Sequence, residues 1–182
     1  MTILSDHGIR QMFERGRLGI NPFDNTRVQP CSYDLTLGDV LLVGSLDDWP
    51  EGAIQFNTAR LQFRPVFVDA LEGWRLSPGR LYLAATAEQL TIPDDLVGHL
   101  HGRSTAARAG VQVHQQAGLL DPGYCGCPTL EITVVYPTVL EPGDSIAQVT
   151  FEQLSGPVDA PYHGRYQGDR MPQPGRCQEK TS

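Results

Sequence analysis

Thr129-Leu130-Glu131-Ile132-Thr133-Val134-Val135 is a β-branched run with one carboxylate at its centre. Such residues favour a pleated strand, and successive side chains of a strand point to opposite faces. Leu130, Ile132 and Val134 therefore share one face, and Thr129, Glu131, Thr133 and Val135 share the other. A carboxylate among Thr and Val is costly if buried without a partner, so Glu131 is either a solvent-facing strand residue or is held by a cation such as Arg108. Just upstream, Leu120-Asp121-Pro122-Gly123-Tyr124 has the composition of a tight turn and carries an acid and an aromatic.

Further upstream the pattern changes to Gly102-Arg103-Ser104-Thr105-Ala106-Ala107-Arg108-Ala109-Gly110. Alanine is the best helix former, Ser and Thr cap helix starts and Gly stops helices, so this predicts one short helix opening at Ser104 and ending at Gly110. Two hydroxyls, free N–H groups and a guanidinium at its start would suit a phosphate chain. The plainer alternative is a capped surface helix with a solvated arginine.

Working outward, short apolar runs separated by Gly, Pro and Asp recur at 32–37, 40–43, 62–68, 81–86, 96–101, 111–115, 129–135 and 146–151. With 19 Gly and 14 Pro in 182 residues, they describe a mainly β chain folded as a sandwich, jelly roll or partly closed barrel. Residues 47–59 are the expected surface excursion. An internal echo fits the same class. Leu76-Ser77-Pro78-Gly79 leading to Gln89-Leu90 is matched by Leu140-Glu141-Pro142-Gly143 leading to Gln153-Leu154, so two similar hairpin arms are expected in related positions. Ahead of the strands, Ser5 caps a predicted helix in which Leu4 staples against Ile9, and Gly16 ends it.

The chain divides at residue 154. Residues 1–154 form the β domain, and 155–182, rich in Gly, Pro, Gln and Arg, are too polar to pack a core. This tail is expected to be mobile until a ligand orders it, because it carries Tyr162, His163, Arg165, Tyr166, Gln167 and Arg170. A net charge of −7 excludes a general nucleic-acid binder. The lack of a long apolar run or signal-like start predicts a cytoplasmic protein with no membrane contact. Cys31, Cys125, Cys127 and Cys177 are expected to be free thiols, since the single residue between Cys125 and Cys127 is not the usual metal spacing. His114, beside Val111 and Val113, reads as an ordinary strand histidine.

These motifs, taken in order, resemble the dCTP deaminase family of the dUTPase-like superfamily. The resemblance lies in Gly-Arg-Ser-Thr at 102–105, Val113-His114, Ala117-Gly118, Leu120 to Tyr124 and Leu130-Glu131. It extends to Gly16-Arg17-Leu18-Gly19-Ile20-Asn21-Pro22-Phe23-Asp24, to Ser32-Tyr33-Asp34-Leu35 and its neighbours, to Ile92-Pro93-Asp94-Asp95-Leu96-Val97-Gly98, and to Arg165-Tyr166-Gln167-Gly168. It implies a distorted β-barrel or jelly roll with a short N-terminal helix and one short internal helix. It also implies hydrolytic deamination of a deoxycytidine triphosphate in sites shared between the subunits of a homotrimer. Zinc deaminases use His-x-Glu and Pro-Cys-x-x-Cys motifs, and neither occurs in this sequence. Protein groups would then do the proton work, with Mg2+ carried by the triphosphate and no zinc.

By the same resemblance, Glu131 is the general base, Arg108 holds it ionised and Ser104 fixes the attacking water. Arg103, Ser104 and Thr105 meet the triphosphate, while Tyr162, Arg165, Tyr166 and Gln167 close over it from another subunit. Asp121 binds the sugar 3′-hydroxyl, Tyr124 packs on the deoxyribose, and Gln116 and Ala117 lie in the segment that reads the base. The product is expected to be dUTP. The alternatives are a bifunctional enzyme releasing dUMP and pyrophosphate, whose members the Asn21-Pro22-Phe23-Asp24 segment is similar to, and a non-catalytic nucleotide-binding regulator. Three departures from the family pattern bear on specificity: Gln116 replaces a small hydroxyl residue, Asp169 an amide, and His101 an acidic or small residue.

Overall fold

Leu130 and Ile132 are fully buried and Val134 nearly so, while Thr129, Glu131 and Thr133 stay half-buried on the opposite face. The alternation read from the sequence is therefore the one adopted. The computed structural model describes residues 2–44, 62–67, 73–115 and 117–175. Its principal elements, in chain order, are α1 (Asp6–Glu14), β1 (Ser32–Gly44), β2 (Phe63–Val66), β3 (Tyr82–Thr86), β4 (Leu96–Gly102), α2 (Ser104–Arg108), β5 (Val111–Gln112), β6 (Leu119–Leu120), β7 (Thr129–Val134) and β8 (Ser145–Gln153).

The fold is mainly β. One large antiparallel sheet runs β5-β7-β3-β1-β8-β4-β6 and curls into a half-barrel around its own apolar face. The curl has a local cause. The predicted runs at 32–37 and 40–43 fuse into the 13-residue strand β1, whose pairing with β3 slips between Leu37 and Leu41. Gly38 sits in that slip, where an added Cβ would lie 2.9 Å from the Ala85 carbonyl oxygen. Only glycine lets the two backbones approach so closely, and the bulge bends the strand there. Tyr33, Leu35, Leu41, Ile132, Val149 and Phe151 fill the concave side with no exposed surface.

α1 forms as expected. Ser5 accepts from the Gly8 N–H at 3.3 Å, Ile9 is completely buried, and Gly16 leaves the helix at φ 66°. The two echoed arms occupy related positions in a direct sense: they pair with each other, Thr138 opposite Leu76 and Leu140 opposite Trp74. Each then turns at a positive-φ glycine, Gly79 or Gly143, into β3 or β8. The excursion expected at 47–59 lies outside the described residues.

The tail is seen docked. Residues 155–175 lie against the sheet, tied by backbone bonds from Val158 N to Asp94 O, Tyr162 N to Pro122 O, Gly168 N to Cys125 O and Cys127 N to Asp169 O, each 2.7–2.9 Å. Its anchors are backbone hydrogen bonds together with the Gln167 side chain, which is why a composition lacking aliphatic residues does not forbid docking.

Candidate active site

Glu131 opens into a cavity of about 790 Å3. Strand register builds the wall beside it, because β7 pairs with β3 so that Leu83 stands opposite Glu131. Leu81 and Phe63 extend that wall, and Leu100, Leu119 and Leu120 face it from β4 and β6. In these surroundings burial pushes the Glu131 carboxyl above the usual carboxylate range, opposed by the Gln115 backbone N–H and by His114. One carboxylate oxygen, Oε2, is buried with no hydrogen-bond partner.

The Asp121-Pro122-Gly123 turn forms as predicted, with Gly123 at φ 86° and Tyr124 N donating to Asp121 O at 3.0 Å. It leaves Asp121 exposed at the cavity rim and turns Tyr124 inward, where burial raises its hydroxyl pKa far above normal. The Tyr124 ring meets Tyr162 edge-on at 6.0 Å. Tyr166 and Asp169 also line the cavity, and so does Ala117. Gln167 locks the tail here: its side-chain amide donates to Gly123 O at 2.9 Å and accepts from Cys125 N at 2.9 Å. Arg165 is exposed and off the cavity wall. Gln116 lies outside the described residues.

The phosphate-type motif stands apart from this cavity. α2 begins with Ser104 as its first helical residue, so Arg103 and not Ser104 occupies the cap position, and Gly110 follows the helix at φ 80°. Ser104, Thr105 and Arg108 are exposed, and none lines the Glu131 cavity. Arg108 makes no ion pair or side-chain hydrogen bond among the described residues, so the Arg108–Glu131 pairing expected from the sequence is absent within one chain. The chain's own Tyr162 and Tyr166 accompany Glu131, while the Arg103–Thr105 cradle is elsewhere.

Arg103 is held by groups that sequence reading did not single out. Its guanidinium lies 3.2 Å from Asp34 Oδ2 and donates to Ser145 O at 3.2 Å. Asp34 is 5% exposed, also accepts from Gln29 Nε2 at 3.2 Å, and leaves Oδ1 without a partner. Burial raises its carboxyl, with Arg103 and Gln29 acting against it. The signal was available: Asp34, like Glu131, is an acid flanked by apolar residues within a strand.

Two strand acids, Asp34 buried and Glu131 half-buried, and a separate basic helix start are the residues the family motifs carry. A dCTP deaminase-like family model matches residues 3–154. The chain belongs to the dCTP deaminase-like family. Relatives named dCTP deaminase, dUMP-forming, cover the chain almost end to end. The one from Mycolicibacterium gilvum is 37% identical over 96% of this chain and 95% of its own length. That from Corynebacterium glutamicum strain R is 36% identical over 96% of each chain, and that from Mycobacterium bovis is 39% identical over 97% and 96%. Among solved structures, the 2′-deoxycytidine 5′-triphosphate deaminase of Agrobacterium tumefaciens superposes with a TM-score of 0.62 at 24% identity. That match covers 83% of this chain and 47% of the other, and it bears on the fold.

Proposed function

We propose that the chain is a hydrolytic dCTP deaminase of the dUMP-forming kind, acting on the magnesium salt of the triphosphate in sites completed by a second copy of the chain. The observation that carries this reading is the half-buried Glu131 carboxylate, one oxygen unpartnered, in an apolar cavity that also holds Asp121 and Tyr124. Of the two products weighed from the sequence, the names of the relatives favour dUMP over dUTP.

Deamination requires water oxygen to bond to C4 of cytosine and the C4–N4 bond to break. Ionised Glu131 takes one water proton and returns it to ring N3. It then takes the proton of the new C4 hydroxyl and gives it to N4, so that ammonia leaves and the carboxylate is regenerated. A carboxyl with a raised pKa suits both halves of this exchange, since it holds a proton more readily between the two transfers than an ordinary carboxylate. For the second reaction, a water held by Asp121 attacks the α-phosphorus, the bond to the bridging oxygen breaks, and pyrophosphate leaves.

Assembly supplies the rest. Leu119, Val135, Tyr136 and Val139 are 45–66% exposed. Val135 and Tyr136 lie against Gly110 at the end of α2, where an added Cβ would sit 3.1 and 3.3 Å from their side chains. A neighbour packed on this apolar patch would bring Ser104 and Arg108 of one chain to Glu131 of another, in a homotrimer. Ser104 then orients the water, Arg108 faces the carboxylate, and Arg103, Ser104 and Thr105 meet the phosphates. Product chromatography after incubation with dCTP, dUTP or 5-methyl-dCTP and Mg2+ tests the reading. Ammonia with dUMP and pyrophosphate from dCTP is expected. Ammonia with dUTP alone would remove the second step, and unchanged dCTP would remove both.

A further inference from the structure

Two buried polar atoms on neighbouring strands have no partner, Glu131 Oε2 and His114 Nδ1, and they do not bond each other in the single chain. Register relates them. β5 pairs with β7 so that Val111 faces Val134 and Gln112 faces Thr133. Continued two residues in the same antiparallel sense, this pairing sets His114 alongside Glu131. The opposite flank of Glu131 is Leu83, which has no polar atom to offer.

His114 is therefore on the Glu131 side of the sheet and not with its neighbours Val111 and Val113, which are buried in the core. Its ring is also confined. An added Cβ at Gly118 would lie 3.1 Å from His114 Cε1 and 2.8 Å from the Leu100 carbonyl oxygen, so main chain passes directly against the imidazole. The titratable groups facing it are Glu131 from β7 and His101 from β4, and a Gln115 backbone N–H also serves the Glu131 carboxylate.

We propose that His114 is the positioning residue for Glu131, its imidazole turning to donate to the free carboxylate oxygen once the site is filled and so aiming the ionised base at the attacking water. This rests on Glu131 being the general base. A neutral imidazole offers one N–H and an imidazolium two, so the contact is favourable in either form. Burial already pushes the Glu131 carboxyl up and His114 acts against that shift. With the ring removed, the base takes up a proton at higher pH and is lost from the acid side first.

The test is the pH dependence of kcat/KM for dCTP in the native protein, His114→Ala and His114→Asn, with Glu131→Gln alongside. The acid limb of His114→Ala should move to higher pH, with about a tenfold loss at the acid end that recovers towards alkaline pH. His114→Asn, which keeps an N–H near the Nδ1 position, should move it less. An acid limb that stays in place, whether activity is unchanged or lowered equally at every pH, overturns the inference. Should His114→Ala fail to assemble or melt cooperatively, the Asn variant decides alone by the same displacement. An active Glu131→Gln would overturn the base itself, whereas an inactive one with unmoved His114 limbs would overturn only the role of His114.

Discussion

A carboxylate set against aliphatic side chains is unstable in the way that makes it reactive. Because burial raises the Glu131 pKa, the folded state favours the protonated form. The stability it contributes is present below the ordinary carboxylate pKa and is lost as pH rises through the folded value. Glu131→Gln should therefore melt like the native protein at pH 4 but about 2–4 °C higher at pH 7, the shift expected for ~1 kcal/mol in a domain of this size. The same variant should lose deamination by on the order of a hundredfold or more, the usual cost of a missing general base. Scanning calorimetry at the two pH values, together with an ammonia assay, checks both halves. Asp34 works at a distance from the reaction through Arg103. Asp34→Asn should weaken dCTP binding by about tenfold, the size of one charge-assisted contact, while leaving the kcat for deamination within about twofold. Titration calorimetry with an unreactive analogue separates the two, and unchanged affinity would remove Asp34 from the anchoring of Arg103.

At the level of elements, the tail docks through polar contacts that composition alone did not show. Its grip on the cavity mouth centres on one side chain, the Gln167 amide bridging Gly123 and Cys125. Gln167→Ala should raise KM for dCTP about thirtyfold with the fold intact, since two hydrogen bonds near the net value of ~1 kcal/mol each are lost. A KM within twofold of native would show that the tail docks without it. Strand positions, the α1 cap and the Asp121 turn were legible because each rests on local rules: alternation, side-chain capping and a positive-φ glycine. The short strands at Gly19–Asn21 and Cys125–Gly126 were not, being only two or three residues long and existing through pairing with Gln89–Thr91. The grouping of Glu131 with Leu83 and Phe63 was equally hidden, because it depends on long-range register that no local pattern encodes. The Arg103 anchor shows the converse: Asp34 was visible as a residue, but its partner lies 69 positions away, read as 103 minus 34.

For the whole molecule, the chain keeps Tyr162 and Tyr166 with Glu131 and leaves Arg108 outside the cavity, so the proposed shared site makes a prediction about mixed oligomers. Mixing inactive Glu131→Gln chains with inactive Arg108→Ala chains should restore part of the deaminase activity, because some mixed sites receive a native residue from each. In a statistical trimer, recovery to about a quarter of native is the natural scale if each site draws on two chains and oligomer formation is indifferent to the variants. No recovery, in a mixture shown by native mass spectrometry to have exchanged subunits, would place each site within one chain.

The tail also gives the molecule a clock. Cys127 N–H donates to the Asp169 carbonyl and Gly168 N–H to the Cys125 carbonyl, so these two amides can exchange with deuterium only when the tail lifts away. The core amides of β7 and β8 exchange through larger openings, so the interval between the two sets of rates measures lid opening alone. A bound nucleotide that stays beneath the closed tail should slow exchange at 127 and 168 in proportion to its occupancy, making two backbone protons a direct gauge of how often the site is open.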